Sequence, residues 1–169
     1  MQKEIYLAGG CFWGVQAYFQ KINGVLKTSV HYLNGGFEGV SYKQVCNNSS
    51  HVEAVKVVYD STKLSEKDIF ELFLRIIDPY SYHKQGNDKG AQYRIGIYSK
   101  DPAMRHTFNL LNNEFKAQEK KDNYIEILNV LDDTLAEEYH QDYLNKNPFG
   151  YCHINLNSIP NKYKKESIK

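Results

Sequence analysis

Six residues near the N-terminus, Gly9-Gly10-Cys11-Phe12-Trp13-Gly14, set a thiol between glycines and directly before two large aromatic rings. Such a grouping suits sulfur chemistry. Cysteine attacks as its thiolate, flanking glycines let the chain turn tightly and let a ligand approach, and adjoining rings can wall a small apolar pocket. A lone cysteine is more often a buried structural residue, and the neighbours of Cys11 shift that balance. Residues 4–8 read as a short strand, while Val15, Tyr18, Phe19 and Ile22 recur at the i, i+3, i+4, i+7 spacing of one helix face. Cys11 is therefore expected where a strand turns into a helix. Free N–H groups and the positive end of the helix dipole favour a thiolate there.

A carboxyl group is the second feature. Residues 52–59 read as a strand with Val55, Val57 and Tyr59 on one face, and Glu53 belongs to the same alternating set. A carboxyl pointing into apolar surroundings stays protonated, because desolvation disfavours its charged form. The same spacing also suits a strand-end glutamate turned to solvent, and the residues alone leave both readings open.

The elements that must position these groups follow from punctuation and period. Asn23-Gly24 ends the first helix, and residues 25–32 form a strand closed by Asn34-Gly35-Gly36. A loop runs to residue 50, ahead of the strand at 52–59. Ser65 and Asp68 have the capping-box spacing before a helix with Ile69, Leu72, Phe73 and Ile76 on one face, ended by Asp78-Pro79. A polar loop over residues 85–92 leads into a strand at 93–98. Asp101-Pro102 opens a third helix with Met104, Phe108, Leu111 and Phe115 on its core side. A strand near 125–130, a helical piece over 135–144 and an irregular end follow. The order β-α-β-β-α-β predicts an α+β fold. The expected form is a ferredoxin-like split βαβ two-layer sandwich, with a mostly antiparallel sheet, helices on one face and an irregular C-terminal tail. Residues 1–154 are expected to form one catalytic domain and 155–169 a tail or the start of a linker.

Composition narrows the function. The 169 residues suffice for one domain with a real core. A formal net charge of +1 gives no reason to expect nucleic acid or an acidic membrane surface as partner. The one basic cluster, residues 162–169, reads as a solvated end. No apolar run approaches the ~20 residues of a membrane span, and the N-terminus lacks a signal pattern. Cys11, Cys46 and Cys152 are too few and too scattered for a disulfide framework. A reducing, cytoplasmic compartment is expected.

Further motifs give these residues a context. Tyr42 precedes Val45-Cys46. His51-Val52-Glu53-Ala54-Val55, Gln85-Gly86-Asn87-Asp88, Gln92-Tyr93-Arg94, Tyr139-His140-Gln141 and Lys146-Asn147-Pro148-Phe149-Gly150-Tyr151-Cys152 follow in order. With Gly10-Cys11-Phe12-Trp13-Gly14 they resemble the peptide methionine sulfoxide reductases of the A type, over about residues 5–154. The resemblance implies Cys11 as the nucleophile toward the sulfoxide sulfur, and Phe12 and Trp13 as walls for the substrate methyl group. Glu53 would be the proton donor to the oxygen, Tyr42 and Tyr93 hydrogen-bond donors to it, and Asp88 a helper through bound water. Cys152 would resolve the Cys11 sulfenic acid into a disulfide, which thioredoxin or a similar dithiol would reduce. Substrates would be oxidised proteins, peptides or free methionine sulfoxide in the S configuration, with no prosthetic cofactor and no metal. Cys46 would serve packing.

Departures from the pattern are local. His31-Tyr32 stands where Gly-Tyr is usual, and Gly39-Val40 where Asn-Pro is usual. His153-Ile154-Asn155-Leu156 replaces a glycine-rich tail with a second resolving cysteine. That ending resembles forms fused to a B-type reductase, so a second domain is an open expectation. Rival readings are a cysteine hydrolase or amidotransferase with His51 as base, and a zinc site on His51 and Glu53, for which no Cys-x-x-Cys follows. A non-enzymatic module that binds through Phe12 and Trp13 would leave Glu53 and Cys152 without a role.

Overall fold

The computed structural model describes residues 1–165, so the last four residues of the basic end lie outside the described part. The elements are β1 (Gln2–Gly9), α1 (Phe12–Gln20), β2 (Val25–Leu33), α2 (Tyr42–Cys46), β3 (Val52–Asp60) and α3 (Glu66–Leu74), then a two-residue ribbon of β4 (Lys84–Gln85) and β5 (Asp88–Lys89). β6 (Ile95–Tyr98), α4 (Pro102–Glu119), β7 (Glu126–Leu128), β8 (Asp133–Leu135) and α5 (Tyr143–Lys146) complete the order. Single 3₁₀ turns occupy Ala91–Tyr93, Glu138–His140 and Asn161–Tyr163.

Six strands form one sheet in the order β7-β6-β1-β3-β2-β8. β1 pairs antiparallel with β3 and β6, and β2 pairs antiparallel with β3 and β8. β7 lies parallel to β6. The sheet is therefore mixed, which corrects the mostly antiparallel sheet expected from the element order. The cause is α4: a helical crossover returns the chain in the direction of the strand it left, as a short hairpin cannot.

Period 2 sorts the strand residues cleanly. Ile5, Leu7, Val30, Tyr32, Val55, Val57, Tyr59, Ile95 and Ile97 join Phe12, Val15, Tyr18 and Phe19 of α1, Ile69 and Phe73 of α3, and Phe108 of α4 in one core. Each such side chain is worth about 1.5–3 kcal/mol when fully buried. A one-residue slip would turn a whole strand's set to the other face, so the register of β3, and with it the direction of Glu53, is strongly held. The opposite face keeps a smaller cluster of Tyr6, Ala8, Leu33, Val52, Ala54 and Tyr98. There the Tyr6 hydroxyl donates to Asp133 at 2.7 Å, and His31 joins Asp133 at 2.6 Å and Ser29 at 2.7 Å. This line of bonds fastens the edge strand β8, and His31 takes up its departure from the family pattern as part of it.

The caps behave as their sequences predict. Ser65 and Asp68 form a reciprocal capping box, and the Asp101 side chain accepts from the Ala103 N–H ahead of α4. Three local expectations change. The loop before β3 contains α2, started by a second capping box of Ser41 and Gln44. Tyr93 sits on a 3₁₀ turn, and strand β6 begins two residues later. Residues 135–144 are not one helical piece: β8 is drawn into the sheet by pairing with β2, and a left-handed Asp142 separates the following turn from α5. The irregular segment after Cys152 is anchored, with Ile154, Ile159 and Tyr163 in the core and the Tyr163 hydroxyl donating to Asp68 at 2.7 Å. No helix among the described residues is long and apolar enough to cross a membrane.

Candidate active site

Cys11 is the N-cap of α1, reached from β1 through Gly9 and Gly10. Gly10 has φ +89°, and a Cβ there would lie 2.7 Å from the Gln85 Cβ. Only glycine suits that combination of backbone and space. Gln85 is held in turn: its amide accepts from the Asp78 N–H at 2.8 Å and donates to the Asp78 carbonyl at 2.9 Å. The ribbon carrying Asp88 is thereby pressed onto the turn carrying Cys11.

The thiol is buried, with 7% of its surface exposed. Its pKa is pushed far above the ordinary value, by burial first and then by the charge of Glu53, while the Trp13 N–H pulls it down and Asp88 and Cys152 push it up again. The thiolate expected from the helix start is thus not the resting form. A helix terminus is worth about 0.3–1 kcal/mol, up to about 2 in partly buried sites, whereas burial alone can move a group by several pKa units at about 1.4 kcal/mol each. Burial wins.

Glu53 points inward, 1% exposed, and its Oε1 accepts from the Phe12 N–H at 3.3 Å. Its pKa is raised to about 8, by burial first, against the Phe12 hydrogen bond and with help from Asp88. Between the two readings left open for this residue, the buried acid is correct. Glu53 Oε2 and Asp88 Oδ2 are buried without a hydrogen-bond partner. Such orphaned acceptors cost about 1–3 kcal/mol each, a cost that a proton or a ligand can relieve. The Tyr42 and Tyr93 hydroxyls have pKa values raised by burial and next by Glu53. Both stay neutral, so both can donate. Groups from β3, β5 and a 3₁₀ turn thus lie near the thiol, and Tyr42 of α2 lies near Glu53 and Tyr93.

Phe12 is buried against Tyr32 and His140, with ring centroids 5.7 and 5.2 Å away. Trp13 stacks on Tyr143 at 3.8 Å, and its Nε1–H donates to His140 Nδ1 at 3.0 Å. His140 is 1% exposed and also meets the ring of Tyr42 at 4.4 Å. Burial lowers its pKa, against the opposing charge of Glu137, so the ring is neutral and accepts at Nδ1. Glu137 receives the Tyr32 hydroxyl at 2.8 Å and the Tyr42 N–H at 3.0 Å. His140, Tyr143 and Glu137 were not among the expected site residues. His140 lies inside the Tyr139-His140-Gln141 motif, which was the available signal; Glu137 carries none.

Cys152 lies on the first turn of α1. A Cβ at Gly14 would come within 3.1 Å of its Sγ, and the thiol donates to the Ile154 carbonyl at 3.3 Å. Cys46 is exposed at the end of α2, which corrects its expected packing role. All three cysteines are free. His51, the base of the rival hydrolase reading, is fully buried and engaged by Ser49, the Phe37 carbonyl and Asp132. Among the described residues, no three His, Cys, Asp or Glu side chains group closely enough to hold a metal ion.

A family model described as peptide methionine sulfoxide reductase matches residues 3–169. The peptide methionine sulfoxide reductase MsrA of Mycoplasmopsis pulmonis is 63% identical over 166 residues, covering 98% of this chain and 100% of that protein. Among solved structures, Mxr1 from Saccharomyces cerevisiae in reduced form superposes with a TM-score of 0.85 at 32% identity, covering 92% of each chain. Methionine sulfoxide reductase A of Corynebacterium diphtheriae gives 0.76 at 32% identity, covering 89% of this chain and 77% of that one. The chain belongs to the peptide methionine sulfoxide reductase family, in its A-type branch. The M. pulmonis relative is matched along its whole length, so the expectation of a fused B-type domain finds no support in it.

Proposed function

We propose that this A-type reductase carries out its thiol-dependent reduction of methionine sulfoxide at Cys11, with Glu53 as the acid. The observation that carries the reading is the pairing of a buried thiol with a buried carboxyl whose pKa of about 8 keeps it protonated near neutral pH. Sulfoxide oxygen is a poor leaving group until protonated, and a neutral carboxylic acid beside the nucleophile supplies that proton. Phe12 and Trp13 bound the methyl group, Tyr42 and Tyr93 donate to the oxygen, and Asp88 acts through water.

Glu53 protonates the oxygen as the Cys11 sulfur bonds to the sulfoxide sulfur and gives up its thiol proton, which restores Glu53. The S–O bond of the substrate and the new S–S bond then break as the hydroxyl passes to Cys11, which leaves Cys11 as a sulfenic acid and releases methionine. The substrate sulfur is reduced by two electrons and Cys11 is oxidised by two. Cys152 then displaces hydroxide from the sulfenic sulfur, forming a disulfide and water. Thioredoxin or a similar dithiol reduces that disulfide in the cytoplasm. The role is repair of oxidised methionine, protein-bound or free.

Resolved R and S sulfoxide peptides test the site. Reversing the sulfur exchanges oxygen and methyl between polar and aromatic walls, so the S epimer should react and the R epimer should not. Comparable rates on both, or more than a tenth of wild-type turnover in Cys11→Ser, would sink the reading.

A further inference from the structure

We propose that His153 is a positioning residue for the second half of the cycle: it fastens the segment bearing Cys152 to the turn bearing Cys11. The inference rests on the reading of Cys152 as the resolving thiol. His153 Nε2 bonds the Gly9 carbonyl at 2.9 Å. That bond joins the residue after Cys152 to the residue two before Cys11, so it closes a short path between the two sulfurs. The partner is a carbonyl, which can only accept, so Nε2 carries the hydrogen. The neutral ring, its pKa lowered by burial, then leaves Nδ1 buried and without a partner.

The surroundings show how closely the ring is seated. A Cβ at Gly10 would lie 3.0 Å from Nε2, and one at Gly86 would lie 3.2 Å from the His153 Cβ. The ring is thus wedged between the nucleophile's turn and the ribbon that bears Asp88. On the far side of Cys152, Phe149 is fully exposed, and Tyr151 is 42% exposed with its hydroxyl reaching Asp88 and Asn87 on the ribbon. On the near side Ile154 enters the core. A disulfide needs its two Cα atoms within about 4.4–6.8 Å, so a segment free to swing would spend most of its time out of reach. Reacting atoms that lose about 1 Å of alignment can lose about 10²-fold in rate.

The test uses the full chain and three substitutions. His153→Phe keeps the ring volume and removes the bond; His153→Gln keeps an N–H donor of similar reach; His153→Asn is too short to reach Gly9 and replaces the Phe variant should that one not fold. Quenched-flow mass spectrometry reads methionine release and disulfide formation in the same reaction, with dimedone trapping the sulfenic acid. The ratio of the second rate to the first should fall at least about tenfold in the Phe and Asn variants, with more trapped sulfenic acid, and return to within about threefold of wild type in the Gln variant. An unchanged ratio in the Phe and Asn variants, or an equal fall in all three, would overturn the inference. Cys152→Ser separates the underlying reading: wild-type thioredoxin-driven turnover there would remove Cys152 from the cycle, whatever His153 does.

Discussion

The Phe12 N–H donates to Glu53 Oε1 at 3.3 Å, so the buried carboxyl on β3 is fastened to the first residue of the helix that Cys11 caps. The proposed acid and the proposed nucleophile are thereby tied to the same helix start.

Glu53→Gln should lower the single-turnover rate by about 10²–10⁴, the usual worth of general acid catalysis, with substrate affinity nearly unchanged. Wild-type rate should also fall as pH rises through about 8, because the acid is then lost. Rates measured from pH 6 to 9.5 should show that limb in the wild type and not in the variant. A loss under about tenfold would demote Glu53 to a positioning role.

The same carboxyl affects stability. Its pKa is about 8 in the fold against an ordinary 4.5, so between those values the folded chain holds a proton that the unfolded chain has released. Stability falls as pH rises through that window and the loss is complete above it. Glu53→Gln should therefore gain stability over wild type as pH rises from 5 to 9, on the order of 2–4 kcal/mol at the top. Urea midpoints at both ends would check it; a constant difference would mean the carboxyl is ionised throughout.

Cys152→Ser should still convert one equivalent of sulfoxide, lose thioredoxin-driven turnover, and recover with dithiothreitol. Cys46→Ser should turn over normally, and Cys46 should be the first thiol to react with a bulky alkylating reagent, since it alone is exposed. Peptide mapping of partly alkylated protein reads the order.

Gly10→Ala should destabilise the fold by about 1–3 kcal/mol, because the residue holds φ +89°. The added Cβ would also press on the Gln85 stem, displacing the ribbon and slowing the first chemical step. Thermal unfolding and burst kinetics would together show it; an alanine variant as stable and active as wild type would refute the close approach.

What was legible in the sequence was what local rules govern. Alternation put Glu53 in one set with Val55, Val57 and Tyr59, while its burial was shown only by the fold, and capping signals opened α3 and α4. Cys11 was readable at a strand-to-helix turn because Gly10 and the following apolar period are local. The capping box of Ser41 and Gln44 was equally readable and marks α2, which the loop residues around it obscured.

Tertiary packing decided the rest. Residues 133–135 became a strand because β2 had a free edge, and β7 lies parallel because α4 crosses over. The protonation of Cys11 was decided by what surrounds it: a helix start favours a thiolate, but burial among segments distant in the chain pushes the proton back on. The contact of His153 with Gly9, across 144 positions, has no trace in either local segment. Period and caps act within a few residues. Burial and long-range hydrogen bonds exist only once distant segments have met, and here they determine which atom of the site holds a proton.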